Sequence, residues 1–128
     1  MKDKDIIYIV AGDSMMELMN NKYPKRIVIP FRENLSIGTY SGFSINDKFI
    51  EERAKALNTS KKEYTKKLKP IMEIDISKEY ILVFGEDDCC KANLNFMINY
   101  LKEKGYNKKI EVQIVDEYSL DLIKKYQQ

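Results

Sequence analysis

The 128-residue chain contains no histidine. That absence excludes imidazole triads, the common zinc sites with histidine ligands and the usual general base near neutral pH. Any chemistry must therefore rest on carboxylates, Lys, Arg, Tyr, Ser or Cys. Cysteine is scarce too: Cys89 and Cys90 are the two present and are adjacent, a poor structural staple that suits a compartment keeping thiols reduced. No window approaches the ~20 apolar residues that a membrane-spanning helix needs. The apolar run from Ile6 to Gly12 is shorter than a signal-peptide core, with no cleavage-like small residues before Asp13. These absences predict a cytoplasmic protein with no membrane partner. Neither G-x-G-x-x-G nor G-x-x-x-x-G-K-[ST] occurs, which weakens dinucleotide and P-loop readings.

Strong charge of one sign is also missing. The net charge is +2, so no global basic field points to nucleic acid. The basic run KKEYTKKLK, residues 61–69, spreads its lysines around most of a helix and leaves Tyr64 and Leu68 as a narrow apolar seam, the pattern of a solvated helix face. Arginine accounts for only three of the 22 basic residues. A position that has it reads as needing a planar fork of donors rather than simple charge, and Arg32 is the case for a site. Arg26, before a strand, and Arg53, on a helix stripe, read as structural, although Arg53 could reach the same rim.

With 44% apolar and 33% charged residues and few prolines, the composition is that of an ordinary globular chain, and its length fits one domain over residues 1–128. DIIYIVAG reads as a strand buried on both faces and ended by Gly12. SMMELMNNKY reads as a helix opened by a Ser14–Glu17 capping box. RIVIPF is a second strand with Pro30 at its end or at an edge. Residues 32–46 show no sustained period; a loop of about fifteen residues is expected to be functional or mobile. Two helical stretches follow, the second opened by Ser60 and Glu63, with Pro70 bending or ending it. YILVFG is the third strand, and the helix after it runs to Gly105 as C-cap. KIEVQIV alternates like a half-exposed edge strand, and SLDLIKKY reads as a short closing helix.

This order predicts an α/β fold: a Rossmann-like three-layer sandwich around a four-stranded, mainly parallel sheet of order 2-1-3-4. Ligands of such sheets bind beyond the carboxyl ends of strands where the chain switches direction. At that point stand AGDS and FGEDDCC, both of the form strand, glycine, acid, helix start. The candidate ligand-binding residues are thus Gly12, Asp13 and Ser14, Arg32, Glu33 and Asn34 on the neighbouring loop, and Gly85, Glu86 and Asp87. Ser14, Asp87 and Asp88 could equally be helix caps, and acids in a first turn offset the helix dipole. Several carboxylates on one rim suit a hydroxyl-rich ligand, a cation, or Mg²⁺ bridging to phosphate, with Asp13, Glu86 and Asp87 as candidate metal ligands and Arg32 as an anion clamp. Cys90 lies on the apolar stripe of its helix and reads as core, with Cys89 the more exposed.

VAGDS, VIPFRENLSIG and FGEDDCCKANLNFMINYL, in this order and spacing, resemble the bacterial family catalogued as domain of unknown function 1835, over roughly residues 5–117. The matching positions are Gly12 to Ser14, Glu33 to Gly38, and Gly85, Glu86, Asp87 and Cys90. Thr39 follows Gly38 where relatives often have proline, and Cys89 takes a commonly aromatic slot. The resemblance implies this fold and these site positions and supplies no reaction. Two functions are expected from the sequence. One is binding of a polar small molecule, such as a nucleotide or sugar phosphate with Mg²⁺; the other is a non-catalytic interaction or regulatory module.

Overall fold

The computed structural model describes residues 6–128. Its elements run β1 (Ile6–Val10), α1 (Asp13–Lys22), β2 (Ile27–Pro30), α2 (Asp47–Ala56), α3 (Lys61–Met72), β3 (Glu79–Phe84), α4 (Asp88–Glu103), β4 (Glu111–Val115) and β5 (Leu122–Gln127). The five strands form one sheet of order β2-β1-β3-β4-β5, parallel except for β5. The expected order 2-1-3-4 is present, and the chain adds a strand to it.

Strand alternation sorts the core into two layers. Ile9, Leu82, Phe84 and Val112 face α2, α3 and α4. Val10, Val83 and Val115 face α1 through Met15 and Met19. The first layer is the larger, and Phe96 of α4 sits at its centre, stacked on Phe31 at 5.8 Å and on Tyr100 at 5.6 Å and tilted against Phe49 at 5.1 Å between centroids. Each such pair adds about 0.5–1.5 kcal/mol beyond burial. Phe31 directly precedes the long loop and Tyr40, edge-on to Phe96 at 5.7 Å, belongs to it, so this packing ties the loop to α4.

Helix ends follow side-chain chemistry in most cases. Asn46, Ser60 and Asp87 each accept a hydrogen bond from the amide three residues on, at 3.0, 3.1 and 2.7 Å. Gly105, with φ +93°, follows α4 in the left-handed conformation. There the Gly105 and Tyr106 amides bond back to the carbonyls of Lys102 and Leu101, the paired pattern that satisfies the last orphan carbonyls. Pro70 is accommodated inside the last turn of α3.

Three expectations are overturned. The Ser14–Glu17 capping box does not form: α1 starts at Asp13 with Gly12 as its cap residue and no side-chain cap, which places Ser14 inside the first turn, beyond reach of a capping bond. SLDLIKKY is not helical but contributes β5. Asp116 accepts hydrogen bonds from the Tyr118 and Ser119 amides at 2.9 and 3.0 Å, Leu120 takes φ +64°, and the chain reverses onto β4. Consequently β4 is an interior strand, and the edge is β5, where Lys124 and Lys125 discourage further pairing.

Candidate functional site

The first rim segment leaves β1 at Gly12, whose φ of +104° favours glycine. Because no side chain caps α1, the Asp13 carboxylate is free to turn sideways. It accepts from Arg32 Nε at 2.9 Å, and Arg32 Nη1 also donates to the Lys67 carbonyl at 3.3 Å. The pair is open to water, with side chains 32% and 63% exposed for Arg32 and Asp13. Two predicted site residues from different segments are thus in direct contact.

Glu33 has a different fate. Its side chain is fully buried and receives Arg53 Nε at 2.9 Å and Nη2 at 2.8 Å in a two-pronged ion pair. The Tyr64 hydroxyl and the Asn34 amide also donate to it. Arg53 spends its remaining donors on the carbonyls of Asn34, Ile37 and Thr39. Burial alone would lower the Arg53 pKa, but bonding and charge from Glu33 outweigh it and hold the guanidinium above its ordinary value. Burial, followed by the Glu33 charge, raises the Tyr64 hydroxyl well above the ordinary tyrosine value. From α4, Asn93 donates to the Glu33 carbonyl at 2.7 Å and accepts from the Leu35 amide at 2.9 Å. Asn34 turns its side chain to Ser36. Gly38 closes the network, since a Cβ there would lie 2.7 Å from that of Ala56. Glu33 and Asn34, predicted on the rim, thus serve to fix the loop.

The second rim segment leaves β3. Gly85 allows a close approach: a Cβ would meet Glu117 Cγ at 2.8 Å and Cys90 Sγ at 3.3 Å, so the Glu117 side chain would have to move. Asp87 caps α4 and is exposed, as is Glu86. Glu117, in the turn after β4, is the rim residue that sequence reasoning missed. A signal existed, because VDE after β4 repeats the arrangement of a strand followed by acids. Hydrogen bonding between Glu117 and Asp87 lowers the Asp87 pKa and raises that of Glu117.

The Asp87 and Glu117 carboxylates and the Cys90 sulfur lie within 4.8 Å of one another. Two carboxylates suit a hard cation such as Mg²⁺, whereas sulfur does not ligate it. The thiols are also poorly disposed to react. Burial, then nearby acids, raises the Cys89 pKa, and burial takes Cys90 up to about 12. Both remain protonated near neutrality. Cys90 is buried and Cys89 partly exposed, as expected.

Beside this rim, on the α1 side of the sheet, a cavity of about 490 Å³ is lined by Ser14, Glu17, Asn21, Glu117 and Tyr118 among others. It brings the start of α1 and the turn after β4 to one space. Asn93 was the other residue of this network missed, because its partners stand some sixty positions away, whereas Arg53, read as structural, holds the buried pair with Glu33. Among the described residues no helix is long and apolar enough to cross a membrane. No protein-family model, curated protein or solved structure matches the chain.

Proposed function

We propose that the rim formed by the ends of the first three strands binds a polar small molecule of the nucleotide or sugar-phosphate class. The observation that carries this reading is the start of α1, where first-turn amides lack a side-chain cap and Arg32 stands beside them on Asp13. Amides at a helix start and a planar guanidinium both favour an anionic group. Gly12 lets the backbone turn there, and the Ser14 hydroxyl lies on the adjoining cavity. Glu86, Asp87 and Glu117 suit the hydroxyls of the same ligand, and Asp87 with Glu117 could hold Mg²⁺ against its phosphate. Binding would break the Arg32–Asp13 pair and hand the guanidinium to the ligand. In this reading the protein works in the cytoplasm, and its similarity to the domain of unknown function 1835 family rests on the same strand-end motifs.

A thermal-shift series with nucleotides and sugar phosphates, with and without Mg²⁺, tests the proposal. We expect a saturable upward shift that Arg32→Gln abolishes. No shift from any of these ligands, with an unchanged profile for Asp13→Ala combined with Glu86→Ala, would overturn it.

The second reading, a non-catalytic interaction or regulatory module, draws support from the β4–β5 turn. There, and at the start of β5, Tyr118, Leu122 and Ile123 are 84%, 56% and 50% exposed. A concentration-dependent change in sedimentation removed by Tyr118→Ser would favour it over the ligand reading.

A further inference from the structure

The three arginines have three distinct environments, and the third is not accounted for by the rim. Arg53 is buried on Glu33, and Arg32 pairs with Asp13. Arg26 lies at the opposite end of the sheet, just before β2. Its guanidinium carbon sits 3.7 Å from the Tyr23 ring centroid and 4.4 Å from that of Tyr8. Its Nη1 donates to a weak acceptor, the Met19 thioether, at 3.6 Å, and among the described residues it joins no ion pair. A guanidinium carries five N–H donors, so among the described residues most of the fork is unspent while its plane is held by aromatic contacts.

The space in front of it is a cavity of about 450 Å³ lined by Tyr8, Lys22, Tyr23, Lys25 and Arg26, with Ile6 and Pro24 completing the wall. That volume falls within the usual ~300–1,000 Å³ of small-molecule sites. Three cations and no described carboxylate line it. The end of α1 opposes an anion with roughly half a negative charge, and Lys22, in that last turn, offsets it. Lys25 and Arg26 remain in excess. Two ammonium groups flanking one guanidinium fork match a dianion better than a single carboxylate, with the fork bonding two oxygens and the lysines adding point charge.

We propose that this cleft is a second binding site, separate from the rim, for the phosphate group of a small phosphate monoester. The test is an NMR titration of the full chain with phenyl phosphate and with inorganic phosphate, following the ring resonances of Tyr8 and Tyr23. The expected result is a saturable shift of both rings that weakens with added salt. Arg26→Gln should weaken binding about tenfold or more, Arg26→Lys should also weaken it because charge without the fork is insufficient, and Arg32→Gln should leave it unchanged. If Arg26→Gln fails to fold, Lys22→Gln combined with Lys25→Gln, both exposed, should lower affinity and flatten the salt dependence.

Absence of a saturable shift would overturn the proposal, as would equal binding by Arg26→Gln. Loss of the response in Arg32→Gln would place the anion at the rim instead and sink this site while sparing the rim reading. Binding confined to an oligonucleotide, with no response to phenyl phosphate, would replace it with a nucleic-acid surface.

Discussion

Two arginine–carboxylate pairs leave the same fifteen-residue stretch after β2, one residue apart, and differ in almost every physical respect. Arg53–Glu33 is two-pronged, dry and surrounded by further hydrogen bonds, whereas Arg32–Asp13 is a single contact open to water. Removing one partner of a buried pair strands a charge in the interior, while exposed pairs contribute little to stability. The first pair is architecture. The second can be exchanged for a ligand without endangering the fold.

That contrast predicts a graded set of effects. Arg53→Ala should cost the most, about 3–5 kcal/mol, read from urea midpoints, and replacing Arg53 and Glu33 together by Met and Leu should cost less than either single truncation. Equal losses in Arg53→Ala and Arg32→Ala would erase the distinction. Next, Asn93→Ala should cost about 1–3 kcal/mol, because it leaves the buried Leu35 amide and Glu33 carbonyl without their partner. Arg32→Ala and Asp13→Ala should each change stability by no more than about 1 kcal/mol, with the change vanishing in salt.

The smallest effect concerns pH at the Asp87–Glu117 pair. Glu117 has a raised folded pKa, so its contribution is present below the ordinary glutamate value and lost as pH climbs through the raised one. Asp87 has a lowered folded pKa, so its contribution is present above the ordinary aspartate value and lost as pH falls through the lowered one. Glu117→Gln should remove the decline on the higher-pH side of the glutamate range and leave the acid-side decline in place. Denaturation midpoints across that range check it, and an unchanged profile would mean the two carboxyls do not share a proton.

The parts of the structure legible in the sequence are those set by local periodicity and connection rules. β1, β3, the order of the first four strands, the Ser60 bond and Gly105 depend on residues close in the chain. β5 was not legible because LIKKYQ has no decisive period, and its conformation is set by the free edge of β4 and by the turn that Asp116 organises. Ser14 misled because the box pattern is present but the helix begins two residues too early for it. At the site, Asp13 and Arg32 were expected on one rim and meet there. Glu33 carried the same rim signature, yet its partners Arg53 and Tyr64 are 20 and 31 positions distant. Chain spacing alone could not tell an acid aimed outward from one aimed inward.

The bond from the Leu35 amide to Asn93 spans 58 positions. An amide in such a loop would ordinarily trade its hydrogen for deuterium as fast as local fluctuation allows. Here exchange requires α4 to lift from the loop, a sub-global opening rather than a local one, so Leu35 should be protected like a core strand. The segment carrying Arg32 is therefore already in place before anything binds, and a ligand arriving at the rim would meet a surface that needs little further ordering.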